Sequence, residues 1–221
     1  MQTVAEIKNT IRELPDSSRD EIRHWLDIHQ DTQEIIELVI RLTQSYTIWW
    51  MVMEKNNAAK YEAVKMEHFY FFEPLSHILL WEGFFVIHAQ IFARDFGGHR
   101  SKHIHSLISE VRTRDATLAS TLEAKINNNQ FLEKARKIRN KISAHREIGS
   151  SPQRLLDLVK PVRSDLDGAL LFVQEIICEV AEALGVEKAS QVEQRIADSQ
   201  GSTSDQTAQV LEALDRDLKR K

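Results

Sequence analysis

The sequence predicts an all-α protein, and two observations support that fold class. Glycine and proline, which interrupt regular structure most strongly, number only seven and four among 221 residues, whereas all-β folds and open α/β sheets need frequent turns. Apolar residues recur at three- and four-residue intervals along most of the chain, as they do on one face of an α-helix. The single cysteine, Cys178, excludes an intramolecular disulfide framework. We therefore expect a helical bundle with an apolar core.

Residues 1–30 are predicted to form an N-terminal helical hairpin. Thr3 and Glu6 have the spacing of a capping box and precede an apolar stripe, and Ser18 and Glu21 repeat that signal before a second stripe. The hairpin is treated as a unit separate from the main bundle.

Residues 31–185 are predicted to form the bundle itself. A long helix is expected from about Thr32 to Lys55, and residues 58–95 form the most apolar stretch, in which Pro74 should break or kink the helix. Further helices are expected over 101–112, 115–126 and 130–148, followed by a pair that ends at Leu184-Gly185.

Residues 186–221 read as a linker and a C-terminal amphipathic helix. Residues 186–204 hold few large apolar groups, which is typical of a flexible linker, and residues 205–219 resume a helical apolar pattern. Because so short a helix is marginal alone, we expect it to dock on this chain or on a partner. No stretch is long and apolar enough for a membrane span, and the N-terminus lacks the apolar centre of a signal peptide. We expect a cytoplasmic protein without a membrane partner.

The segment 131–147, FLEKARKIRNKISAHRE, concentrates positive charge in a chain whose net charge is -4. Placed on a helix, its apolar residues fall on one stripe, and His145 continues that stripe beside Arg139. The pattern predicts an imidazole on the buried side of the helix, next to a guanidinium. Six basic residues lie within 13 positions: Lys134, Arg136, Lys137, Arg139, Lys141 and Arg146.

The order Arg139-Asn140, four residues, then His145 resembles the signature of the HEPN superfamily. That signature is an arginine, usually followed by a polar residue, and a histidine after a short spacer near the end of a bundle helix. The wider string KIRNKISAHRE, preceded by WEGFFVIHAQIF, looks most like the branch named after the AbiU abortive-infection protein. The resemblance covers roughly residues 33–184 and leaves out the hairpin and the tail. It implies an all-α bundle that dimerises, and in many members a metal-independent endoribonuclease of toxin–antitoxin or other defence systems.

The resemblance and the chemistry of RNA cleavage give the segment specific roles. Histidine titrates near neutrality, so His145 is the candidate acid or base, and Arg139 would bind the phosphate and stabilise its developing charge. Asn140 would orient the ribose or phosphate, and no metal or other cofactor is expected. Arg139 and His145 lie about 120° apart round a helix, too far apart for a tight site on one chain unless the helix end bends. A two-fold axis beside this helix, as the resemblance implies, would bring two such pairs into one cleft. Flanking phosphates would be held by Arg136, Lys141 and Arg146.

Alternatives to a nuclease stay open at this point. Arginine and histidine near a helix C-terminus are also favoured by the helix dipole alone. The superfamily contains inactive members, so the alternative function is a non-catalytic RNA- or protein-binding module. Glu147 stands where members silenced by nucleotidylation carry the modified tyrosine. That departure favours a binding antitoxin, or none, as the protein partner.

Two other residue groups are interpreted as structural. His99, His103 and His105 have no carboxylate or cysteine at a matching spacing, so they are predicted to be solvated loop histidines rather than a metal site. The aromatic residues are expected to pack in the core or in a dimer interface rather than to stack on bases: Trp49, Trp50, Phe69, Phe71, Phe72, Trp81, Phe84 and Phe85.

Overall fold

The computed structural model describes residues 15–53, 59–92, 103–134 and 163–220, and within these ranges all regular structure is helical. The all-α prediction is therefore confirmed for the described part of the chain. Residues 1–14, the first member of the predicted hairpin, lie outside it. The helices are α1 (Asp16–Met53), α2 (Glu62–Glu67), α3 (Phe69–Ile78), a π-helix (Leu79–Val86), α4 (Ile87–Ile91), α5 (Ile104–Arg114), α6 (Ala116–Asn127), α7 (Arg163–Ala183) and α8 (Ala189–Leu218).

Helix α1 is continuous over 38 residues, so the predicted helix break near residue 30 is wrong. Thr32 lies in its interior and is buried, and its hydroxyl donates to the carbonyl oxygen of Ile28 at 2.8 Å. A threonine that satisfies its hydroxyl in this way does not end a helix. The predicted inner face is confirmed: Ile35, Val39, Leu42 and Tyr46 are buried, and Leu38 and Trp49 are partly buried against the core.

Residues 69–91 form one unbroken helical path made of α3, the π-helix and α4. Pro74 lies inside α3, which continues to Ile78, so the expected break does not occur there. The path instead widens into the π-helix. Gly83 within it lies so close to α1 that an added Cβ would collide with the hydroxyl of Ser45. Glycine therefore permits the close approach of the π-helix and α1.

Helix α7 ends where the sequence predicts, at Leu184-Gly185. Gly185 has a φ of 68°, and its N–H donates to the carbonyl of Glu182 at 3.0 Å. The N–H of Val186 donates to the carbonyl of Ala181 at 3.0 Å. These two bonds and the left-handed glycine form a Schellman motif, which satisfies the last carbonyls of the helix.

Helix α8 spans 30 residues and packs along α1, so the prediction of a flexible linker over 186–204 is wrong. Val192 and Ile196 are buried in the main core. Arg195 fixes the helix laterally, because its guanidinium donates to Gln33 and Glu37 of α1, each at 2.9 Å. The C-terminal helix, expected to dock on this chain or on a partner, docks on this chain.

The buried apolar residues form two clusters. The main core joins α1 with the π-helix, α4 to α7 and the first half of α8. A smaller group, here called the distal cluster, lies between the C-terminal part of α1, α2, α3 and the C-terminal part of α8 and consists of Val52, Tyr61, Val64, Phe72 and Leu211. Across the described ranges, no helix combines the length and apolar character needed to cross a membrane.

Candidate functional site

The residues predicted to act on RNA all lie in the interval 135–162, outside the described residues. Their placement is not tested, and their roles stay predictions. The structure does describe both flanks of this interval, which are residues 130–134 and the start of α7. The residues concerned are Arg136, Arg139, Asn140, Lys141, His145 and Arg146.

The helix that leads into the motif begins where the sequence predicts. It is called the motif helix, and the structure describes its residues 130–134. Residues 130–134 are helical, and the side-chain oxygen of Asn129 accepts from the backbone N–H groups of Phe131 at 3.0 Å and Leu132 at 3.3 Å. Asparagine is a favoured N-cap because it satisfies such unpaired donors. The first turn of the motif helix is thus held by its own cap.

Phe131, the first residue of the predicted inner stripe, faces the core. Its ring stacks on that of Phe85 at a centroid distance of 6.1 Å and meets the imidazole of His88 edge-on at 5.4 Å. The adjacent Leu132 is buried as well. The helical phase assumed for the motif is therefore confirmed at its first position.

An ion pair joins the motif helix to the helix that follows the undescribed interval. The Nζ atom of Lys134 lies 3.2 Å from a carboxylate oxygen of Asp165, in the first turn of α7. Both side chains are partly exposed, so the pair contributes at most about 1 kcal/mol. The ion pair matters mainly because it holds residue 134 near the start of α7, so that the two flanks of the interval 135–162 lie close together.

A polar cluster at the start of α7 lies beside this ion pair. The guanidinium of Arg163 lies 3.5 Å from the ring centroid of Trp50, and its Nε is 3.3 Å from a carboxylate oxygen of Asp167. The other oxygen of Asp167 accepts from the hydroxyl of Tyr46. Burial, together with the Asp167 carboxylate, raises the pKa of Tyr46 above its usual range. Sequence analysis missed this link between α1 and α7, although Arg163 and Asp167 have the spacing of a helical ion pair.

His88 is fully buried against aromatic rings. Its centroid lies 5.2 Å from Phe92 and 6.0 Å from Phe84, and neither ring nitrogen finds a hydrogen-bond partner in the described part of the chain. Desolvation lowers the pKa of His88 to about 3, so its imidazole is neutral at physiological pH. Sequence analysis did not single it out, although its spacing from Phe84 and Phe92 places all three on one helical face.

The other histidines singled out in the sequence have structural surroundings where they are described. His103 is buried, and its Nδ1 accepts from the backbone N–H of Ser106 at 3.2 Å as the N-cap of α5. The expectation of a solvated His103 is therefore wrong, and His99 lies outside the described residues. Among the residues that the structure describes, no three histidine, cysteine, aspartate or glutamate side chains are grouped so that they could hold a metal ion.

An open hollow of about 630 Å³ runs along α6. Its lining offers hydroxyl and methyl groups but no titratable side chain, so it presents no acid–base chemistry. The lining residues are Ala116, Thr117, Ser120, Thr121 and Ala124.

No family model matches the chain, and no curated protein or solved structure matches it. The chemistry of residues 131–147, together with the described flanks of that segment, is therefore the source of the functional assignment.

Proposed function

We propose that this protein is a metal-independent endoribonuclease of the HEPN type, which acts in the cytoplasm as a toxin or defence effector. The observation that carries the proposal is the order Arg139-Asn140, four residues, then His145, within the most basic segment of the chain. The active form would be a homodimer whose two Arg–His pairs line one cleft. A binding antitoxin is the expected protein partner if one exists.

The residue types match the demands of RNA cleavage through the 2′-hydroxyl. A base must take the 2′-hydroxyl proton, an acid must protonate the leaving 5′-oxygen, and the charge that develops on the phosphate must be stabilised. Two copies of His145 supply the base and the acid, since imidazole titrates near neutral pH. Arg139 can bind a phosphate through two parallel hydrogen bonds, which also stabilises the transition state.

The described flanks support this use of the segment. Asn129 caps the helix and Phe131 anchors it in the core, so its first turn is fixed against the bundle. A fixed first turn supports accurate placement of side chains further along a helix, and the proposal expects the helix to continue into the motif. Lys134 is engaged with Asp165, which leaves phosphate contacts to the basic residues further along the segment.

The first prediction is that substitution of the motif abolishes RNA cleavage. Purified wild-type protein, incubated with RNA and a chelator, should cleave it, and His145→Ala and Arg139→Ala should each lower the rate by about 100-fold or more, as loss of general acid–base or electrostatic catalysis does. Cleavage is measured by gel electrophoresis of an end-labelled RNA, with circular dichroism as the check of folding.

Matched controls come from exposed residues of the same types outside the motif. His24 pairs with Glu110 at 3.2 Å and Arg112 with Glu123 at 2.5 Å. His24→Ala and Arg112→Ala should keep wild-type cleavage rates. Wild-type protein that binds RNA without cutting it would overturn the nuclease and favour the non-catalytic RNA-binding module.

A further inference from the structure

Helices α2 and α3 expose several large apolar side chains, most of them near one another in the sequence. The exposed fraction is 71% for Met66, 52% for Phe69, 92% for Tyr70, 61% for Phe71 and 52% for Ile78. These five residues are called the aromatic face. Single exposed apolar residues are ordinary, but a group of this size on two successive helices indicates an interaction surface.

The aromatic face belongs to a well-anchored part of the fold. Phe72 and Val64, on the opposite sides of the same two helices, are buried in the distal cluster. Lys65 donates to the carbonyl oxygen of Val52 at 3.4 Å, and Lys60 to the carboxylate of Glu212 at 3.4 Å. These contacts fix the buried side of α2 and α3 to the rest of the fold. Within the described residues, no other element packs on their exposed side.

The exposed area has the size that a dimer interface needs. A buried aromatic side chain covers about 150–250 Å², so the exposed parts of three rings, Met66 and Ile78 amount to about 600 Å². A standard interface buries about 800 Å² on each partner, with an apolar centre and a polar rim. The aromatic face can supply most of that centre.

We infer that the aromatic face joins two copies of this chain about a two-fold axis. A two-fold interface brings the same patch of both subunits together, and a patch of apolar side chains can pack against its own copy. A lipid surface fits less well, because membrane-bound helices carry cations beside their apolar side. Here the charged residues of α2 are Glu62, Lys65 and Glu67, and Lys65 is engaged with the backbone.

The inference adds a surface to the proposed dimer. It rests on the proposed function only in that both expect two chains to associate. The exposed area belongs to described residues and does not depend on the role of the Arg139–His145 motif. The two proposals also make separate predictions: one concerns association and the other concerns RNA cleavage.

The second prediction is tested by sedimentation velocity on the full chain over a range of concentrations. Wild-type protein should be a dimer, and Tyr70→Glu with Phe71→Glu should weaken association by at least 100-fold, since each subunit would bury two charges. The matched control is Leu171→Glu, which adds a charge at an exposed leucine of α7 and should leave the dimer intact. Tyr70→Ser, which adds no charge, serves if the double variant fails to fold and should weaken association at least tenfold.

Each outcome decides the inference. A wild-type protein that stays monomeric at high micromolar concentration overturns it, as does a folded face variant that dimerises like wild type. A dimer broken by the face variants but not by Leu171→Glu supports it. If such a dimer forms but never cleaves RNA, the inference about the aromatic face is supported and only the proposed ribonuclease activity is overturned.

Discussion

At the residue scale, His88 is the clearest departure from an ordinary apolar core. A buried polar group without a hydrogen bond costs about 1–3 kcal/mol, and here both nitrogens of an imidazole lack a partner within the described residues. The ring lies against Phe131, in the first turn of the motif helix. The contact between His88 and Phe131 therefore affects both the stability of the core in acid and the anchoring of the motif helix.

The third prediction concerns the pH dependence of unfolding. In the unfolded chain His88 takes up a proton below about pH 6.5, whereas burial lowers its pKa to about 3 in the fold. The unfolded state then binds more protons, so the free energy of unfolding falls as pH decreases from 6.5 toward 3. Between pH 7.5 and 5 the loss is about 2 kcal/mol, at about 1.4 kcal/mol per pH unit below 6.5.

His88→Leu should remove this contribution and stabilise the protein at neutral pH by about 1 kcal/mol, since no buried polar atom is left unpaired. Urea unfolding at several pH values gives the free energies. The control is Leu171→Gln, which changes an exposed leucine of α7, leaves every histidine in place and should keep the wild-type slope. Equal slopes for wild type and His88→Leu would contradict the assignment.

At the element scale, the positions of several helix ends could be predicted because local chemistry determines them. Asn129 caps the motif helix through its own side chain, and Gly185 ends α7 because it adopts a positive φ. The continuity of α1 through Thr32 could not be predicted, because a threonine can stand at the start of a helix or lie inside one with its hydroxyl bonded to the preceding turn, as Thr32 is to Ile28. The helical state of residues 189–204 depends on tertiary contacts with α1, which composition does not reveal.

The features around the candidate site also fall into those that the sequence predicts and those that it does not. The inner position of Phe131 follows from helical periodicity and is confirmed. The burial of His88 and the link from Arg163 through Asp167 to Tyr46 depend on which helices meet, so a single sequence does not predict them. The π-helix is missed for a related reason, because its apolar pattern resembles that of an α-helix.

The fourth prediction compares two glycines in helices. At Gly201 of α8 an added Cβ meets nothing within 4 Å, whereas at Gly83 it meets the side chain of Ser45. Gly201→Ala should therefore stabilise the protein by about 0.5–1 kcal/mol, as expected for an exposed helical position. Gly83→Ala should destabilise it by about 1–3 kcal/mol through overpacking. Thermal unfolding separates the two, and stabilisation by both would contradict the close approach of the π-helix to α1.

At the scale of the whole molecule, two apolar clusters of unequal size stabilise different groups of helices. The main core holds the helices that flank the motif segment, whereas the distal cluster holds α2 and α3, which carry the aromatic face, against the C-terminal parts of α1 and α8. Regions with few buried apolar contacts open more readily than the main core. Self-association through the aromatic face would therefore stabilise the less well buried end of the molecule.

The fifth prediction tests this division with Leu211, a buried residue of α8 in the distal cluster. Leu211→Ala should cost about 2–4 kcal/mol, as deletion of a buried leucine side chain does. Hydrogen exchange followed by mass spectrometry should show faster exchange in α2, α3 and the end of α8, while α5 and α7 keep their protection. The adjacent and exposed Val210 supplies the control, because Val210→Ala leaves the distal cluster intact. If Leu211→Ala raised exchange equally in α5 and α7, the two clusters would unfold as one unit, and the aromatic face would share the stability of the main core.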